Sequence, residues 1–454
     1  MAISNGLRIK VESVKKLIRR NAQNSLQRLL FKLHPADIAI IIKHLNDFER
    51  KKIWELIQDK KKLANTLLEL EDATIIELLN TFTPEEISIL LKEMASDDAA
   101  NILRLLDEEK REEVLNLLKE SEQEKLETLL HYPEDSAGAI MNTKFVALHE
   151  DTTVKEATKT LHKAEDVEMV FYLYVVDDEG RLTGVLSLRQ LILNPPEKKL
   201  KEIMIKDVIS VPVDMDREQV AKIVEKYDFL AIPVVDERNR LVGIITVDDI
   251  IDVIREETTE DIYKMAGTTE EELLIGDKPL KIAKVRFPWL LITFIGELIS
   301  GFVISYFHGK VKEFAILASF MPIIMAMGGN VGNQSAIILI RGIALGKIDK
   351  KEIGKVMFKE IRVGMILGII MGVLLGIVAP LWHGDPKIGL VVGLAMFSAL
   401  TFATFIGTFI PAMLIKLNFD PAVGSTPFIS TLNDITGLTI YFTVSMTLMH
   451  FLLQ

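Results

Sequence analysis

Apolar residues recur at helical spacing through the first 130 positions, and Gly is nearly absent between Leu7 and Tyr132. Leu and Ile at i, i+3 and i+4 mark amphipathic helices, each with one stripe to bury. The run that begins at Asp37 aligns without gaps to the run that begins at Asp98, 61 residues later, and a similar unit starts near Asp72. Helix pairs repeated in this way cover each other's apolar faces, so residues 1–138 are expected to form an all-α, solenoid-like domain.

The pattern then changes from a helical period to short strands broken by turns. Residues 141–161 match 204–224, each an extended run, a turn and an amphipathic helix. Residues 172–192 match 230–251, each a strand, an acidic turn, Arg-Leu-X-Gly and a second strand that feeds a helix. This duplication predicts two α/β units, 139–202 and 203–258. Acidic residues follow at Asp248, Asp249, Asp252, Glu256, Glu257, Glu260 and Asp261. Spacings of three and four put Asp249, Asp252, Glu256 and Glu260 on about one helical face, a stripe that either faces water or collects cations. A connecting segment, 259–285, ends in basic residues.

From Arg286 onward the chain is dominated by apolar runs of more than 20 residues, long enough to cross a hydrocarbon core of roughly 30 Å. Five spans are expected, at about 287–307, 314–340, 356–382, 388–415 and 422–453, in a membrane domain of 286–454. The first carries Glu297. The second holds Pro322 and the polar run Gly328-Gly329-Asn330-Val331-Gly332-Asn333-Gln334, which predicts a broken helix around a water-filled cavity. In the third, Gly364, Gly368, Gly372 and Gly376 recur every four residues and predict a close helix–helix contact. The last contains a single charged side chain, Asp434. A carboxylate at hydrocarbon depth costs several kcal/mol and persists where it meets a partner or water, so Asp434 is either a structural hydrogen-bonding group or a cation-attracting group in a pore.

Charge separates the two halves. Residues 286–454 hold 12 Lys+Arg and 8 Asp+Glu, a net of +4, which leaves the first 285 residues at −15. An acidic soluble half argues against nucleic acid as a partner and for a cationic one. Seven basic residues between Arg341 and Arg362 face only Lys310, Lys312 and Lys387 in the opposite loops, so this loop and the soluble half are expected in the cytosol and the C-terminus outside. The first 16 residues lack the apolar core of a signal peptide, which again leads one to expect the soluble half in the cytosol. There is no Cys, so carboxylates and carbonyls are the available metal ligands, and they suit hard cations such as Mg²⁺. No Walker, zinc-protease or serine-hydrolase motif is present, and no enzyme is expected.

The duplicated α/β units resemble a tandem CBS pair. With the helical region ahead of it, the Gly328–Gln334 run and the Asn433-Asp434-X-X-Gly437 sequence in the last span, nearly the whole chain resembles the MgtE family of magnesium channels. The resemblance implies a homodimer in the bilayer of the cytoplasmic membrane, with Mg²⁺ bound by Asp434 at the dimer axis and Asn330, Asn333 and Gln334 lining the pore. It also implies closure by cytosolic Mg²⁺ on sensor carboxylates at Asp97, Asp216, Asp228, Asp249, Asp252, Glu257, Glu260, Asp261 and Asp420. Two positions depart from the family pattern. Asn101 stands where a further sensor Asp is expected, and Gln190 replaces the nucleotide-binding Asp that the second CBS copy keeps as Asp249. Some members bind ATP in the CBS pair, where Phe229 and Asp249 are the matching positions. A channel or carrier for Co²⁺, Mn²⁺ or Ca²⁺, and a membrane-anchored nucleotide sensor, remain the competing readings.

Overall fold

The computed structural model describes residues 5–163, 171–269, 272, 279–309, 314–423 and 426–453. Lys310, Lys312 and residues 270–271 and 273–278 of the connecting segment lie outside the described residues. The chain divides into two units, Met1–Glu257 and Thr258–Gln454.

In the first unit, short helices follow one another from Asn5 to His131, joined by tight turns. The repeat read from the sequence is reproduced in three dimensions. Helices Pro35–Lys43 and Ser96–Arg104 begin 61 residues apart, as do Asp47–Leu56 and Glu108–Asn116. Side-chain caps set several starts, with Asn46, Asp59, Thr83 and Asp107 each accepting a backbone amide of the first turn. Ile38, Ile41, Ile42, Ile53, Leu67 and Leu79 are fully buried in one core that runs on into the second CBS unit.

Each CBS copy forms a three-stranded sheet. β1 (Ala147–His149) runs parallel to β2 (Tyr172–Val176), which pairs antiparallel with β3 (Leu182–Ser187). β4 (Val211–Pro212), β5 (Ala231–Val235) and β6 (Leu241–Thr246) repeat that order, and the register slips at matching places, Val175/Val176 and Val234/Val235. The copies join turn to turn, the amide of Leu182 donating to the carbonyl of Asn239 and that of Leu241 to Gly180. Gly180 and Asn239 both sit in the left-handed region, as these tight turns require.

Among the described residues of the second unit, four helices are long and apolar enough to cross a membrane: Pro279–His308, Met321–Ala344, Ile353–His383 (preceded by a 3₁₀ turn from Lys350) and Pro386–Lys416. The fifth expected span forms a helix of 28 residues, Thr426–Leu453, which is not among those four. The expected break inside the second span is absent. Met321–Ala344 is continuous through Gly328–Gln334, and the interruption falls earlier, between Phe314–Ala318 and Met321. The glycines serve contact instead. A Cβ on Gly332 would collide with the Asn433 amide, and one on Gly407 with the Gly332 carbonyl.

The glycine stripe of the third span packs as its spacing predicts. Gly364 lies against Thr404, and a Cβ on Gly368 would stand 2.9 Å from the Phe397 carbonyl oxygen, one on Gly372 2.6 Å from that of Gly393, and one on Gly376 3.1 Å from that of Gly389. Glycines on both helices, with Gly389 and Gly393 opposite, let the backbones meet.

Candidate functional site

Asp434 lies two turns into the last helix and is partly buried. Glu297, from the first apolar helix, stands within hydrogen-bonding reach of its carboxyl. The two helices meet closely because Gly296 leaves room for Thr431. Two carboxyl groups in contact repel unless a proton or a cation lies between them. Around them the helices are polar. The Asn333 amide donates to Ser430 Oγ at 2.8 Å, and Ser335 Oγ donates to the buried Glu360 carboxylate at 3.0 Å. Asn433 is 2% exposed, and neither its amide nitrogen nor its oxygen has a partner among the described residues. The three polar residues expected together do not converge: Asn333 turns inward to Ser430, whereas Asn330 and Gln334 share an exposed face.

The nine expected sensor carboxylates fall into distinct settings. Asp97 and Asp249 are brought together. Asp97 sits in the first turn of Ser96–Arg104, 4% exposed, with Oδ1 unpartnered; the cap position is Ala95, so capping does not account for it. Burial pushes its carboxyl well above the usual range, the charges of Asp249 and Asp98 add to this, and backbone amides of the same turn offset only part. Asp249 is pushed up to about 6, chiefly by burial, with the charges of Asp248 and Asp252 opposing the bonds it accepts from Thr246. Asp252 lies exposed on the same helix, Val247–Ala266.

Asp216 and Asp228 occupy opposite ends of one helix, Arg217–Tyr227. Asp216 caps the start by accepting the Gln219 amide at 3.1 Å, and Asp228 ends it in the left-handed conformation. Eleven helical residues hold them roughly 17 Å apart, too far to share one ion. Phe229 stacks on Tyr227, ring centres 5.4 Å apart.

Three cations invisible to helical-face reasoning meet the remaining carboxylates. Arg217 pairs with Glu257 at 2.7 Å and Glu256 at 3.0 Å. Lys264 bridges Glu260 at 2.7 Å and Asp420 at 2.9 Å, and these two carboxylates raise its pKa despite the burial that lowers it. Arg341 reaches Asp261 at 4.0 Å. Among the described residues no three His, Cys, Asp or Glu are grouped so as to hold a metal.

In the CBS copies, Asp249 and Gln190 play one local role. Each accepts from the residue three before it, Thr246 and Ser187, and closes the start of its helix. The Gln190 departure thus preserves the cap while removing the charge.

Comparison with known proteins places these features together. Residues 321–444 match the model of the divalent cation transporter family MgtE, residues 33–135 the MgtE intracellular N domain, and residues 137–196 and 200–256 the CBS domain. The magnesium transporter MgtE of Bacillus subtilis is 39% identical over 435 residues, 96% of each chain. That of Thermus thermophilus is 35% identical over 443 residues, 96% of this chain and 98% of that one. A crystal structure of the cytosolic domain of the Mg²⁺ channel MgtE in complex with ATP is 37% identical, with a TM-score of 0.52, covering 54% of this chain and 99% of that one.

Proposed function

The chain belongs to the MgtE family of divalent cation transporters, and from that premise we propose that it is a Mg²⁺-selective channel of the cytoplasmic membrane that cytosolic Mg²⁺ closes. It is a membrane transporter with cytosolic N-terminal domains, and the family is not enzymatic. The observation that carries the reading is the contact between Asp434 and Glu297. Two carboxyls in contact offer a hydrated divalent ion charge and hydrogen-bond acceptors without an all-protein cage.

In this reading two protomers face each other, each contributes Asp434 to the pore, and Thr426–Leu453 is a fifth span that leaves the C-terminus outside. The domain limits 1–138, 139–202, 203–258, 259–285 and 286–454 give the order in which the gate is built. Divalent ions between Asp97 and Asp249, beside Asp252, and near Glu260, Asp261 and Asp420 convert repulsion into bridges and favour the closed state. Asp216 and Asp228, held far apart, can each serve only a separate ion. ATP binding in the CBS pair, at Asp249 and Phe229, is supported by the ATP complex of the similar cytosolic domain.

Bilayer recording with Mg²⁺, Ca²⁺ and Na⁺ as alternative carriers tests the proposal. A Mg²⁺ current that falls as Mg²⁺ rises on the cytosolic side supports it. An equal current for Ca²⁺ would replace it with a broader divalent pathway.

A further inference from the structure

The acidic balance of the soluble half hides a basic end. Residues 1–62 hold 15 Lys+Arg against 6 Asp+Glu, a net of +9, so residues 63–285 stand at −24. The fold gathers part of this charge around one aromatic ring. Helix Gln23–Lys32 ends in Phe31 and Lys32, and helix Lys60–Leu68 opens with Lys60, Lys61 and Lys62. Phe31 is 76% exposed, while its neighbour Leu33 is buried in the core. The Lys62 ammonium lies 5.7 Å from the centre of the Phe31 ring and donates to the Phe31 carbonyl at 2.7 Å, so the two helix ends form one patch. Its one acidic side chain, Asp59, is engaged in capping, accepting the Lys62 amide at 3.1 Å.

We propose that this Phe31–lysine end is a peripheral docking surface for the anionic inner leaflet of the membrane that the same chain spans. Lysines attract anionic headgroups at about 1 kcal/mol each near the surface, and an aromatic ring with lysine stems around it fits the headgroup boundary. The chain's own membrane helices keep the leaflet at high local concentration, so modest intrinsic affinity suffices. A polyanion such as RNA meets the charge equally, but gives the protruding ring no apolar layer to enter. The inference needs only cytosolic N-terminal domains and is independent of how Asp434 handles ions.

The absence of native Cys permits a single reporter. Gln58→Cys, exposed and next to the lysines, carries an environment-sensitive fluorophore in full-length protein reconstituted into vesicles. Its emission is expected to rise in phosphatidylglycerol/phosphatidylcholine vesicles over phosphatidylcholine alone, and to fall back in high salt. A reporter at Ser121→Cys, on the acidic helix Glu120–His131, is expected to stay silent. Replacing Lys60, Lys61 and Lys62 by Gln should lower the docked-to-free ratio on the order of 100-fold. Phe31→Ser, at an exposed site that leaves the core intact, should lower it as well. Equal emission in both lipids, an equal response at Ser121, or a response to an added RNA oligonucleotide that matches the response to anionic lipid would each overturn the proposal.

Discussion

Replacing Asp97 by Asn keeps the shape of a buried side chain and removes its charge. The parent pays twice for that carboxylate when no cation is present. Oδ1 lies buried without a partner, a place where a charged oxygen costs about 1–3 kcal/mol more than the neutral amide of Asn. Burial, with the charges of Asp249 and Asp98 added, also disfavours the ionised form of Asp97, and a neutral side chain escapes both. Asp97→Asn should therefore stabilise the chelator-treated protein by about 1–3 kcal/mol, a rise of several degrees in melting temperature. Adding Mg²⁺ should stabilise the parent, which gains a bridging ion, and leave the variant nearly unmoved. The pH dependence has a definite sign. Both carboxyls hold protons more tightly folded than unfolded, so without Mg²⁺ stability falls as pH rises from about 4 through about 6. Mg²⁺ at pH 7.5 should restore what deprotonation removes. Thermal melts of the whole protein in detergent, at pH 5.5 and 7.5 with and without Mg²⁺, read all these effects. A variant that melts lower than the parent in chelator, or that keeps the full Mg²⁺ shift, would refute the reasoning.

Three further outcomes follow from the geometry. Gly372→Leu drives a side chain into the Gly393 carbonyl, 2.6 Å from the Cβ position, and should cost at least about 1–3 kcal/mol, seen as lower yield and earlier aggregation on size-exclusion chromatography; parent-like behaviour would mean the interface can yield. Lys264→Gln removes the ammonium between Glu260 and Asp420, so a divalent ion should bind this pair more tightly, and Mn²⁺ titration followed by spin resonance should show a gain of affinity that Asp420→Asn reverses. Neutralising Glu257, Glu260 and Asp261 together should abolish Mg²⁺-dependent protection from protease and keep the channel conducting at Mg²⁺ levels that close the parent.

Features written in local spacing were legible from the chain. The 61-residue helical repeat, the doubled strand order of the CBS units and the glycine stripe from Gly364 to Gly376 all reappear, because each depends on short-range periodicity. Features that depend on which helices meet were not. The polar run Gly328–Gln334 reads as a broken helix by composition, yet its helix is continuous, since Gly332 makes room for Asn433 from another helix rather than for a kink. The acidic stripe after Asp248 gave no sign of Arg217, which comes from 39 residues upstream to hold Glu256. Nor did it show Lys264 reaching Asp420, 156 residues away in sequence. Nor does the sequence mark Glu360 as a buried carboxylate, since it lies between Lys359 and Arg362; its partner, Ser335, is on the preceding apolar helix.

The central claim is that the carboxylate of Asp434 carries the ion. Asp434→Asn preserves size and hydrogen bonding and removes one charge. Mg²⁺ flux into vesicles containing purified protein, measured for parent and variant at equal protein density with unchanged elution volume, tests it most directly. The account predicts flux in the parent and near-complete loss in the variant. Parent-like flux through Asp434→Asn would make Asp434 a structural residue and place the ion path elsewhere.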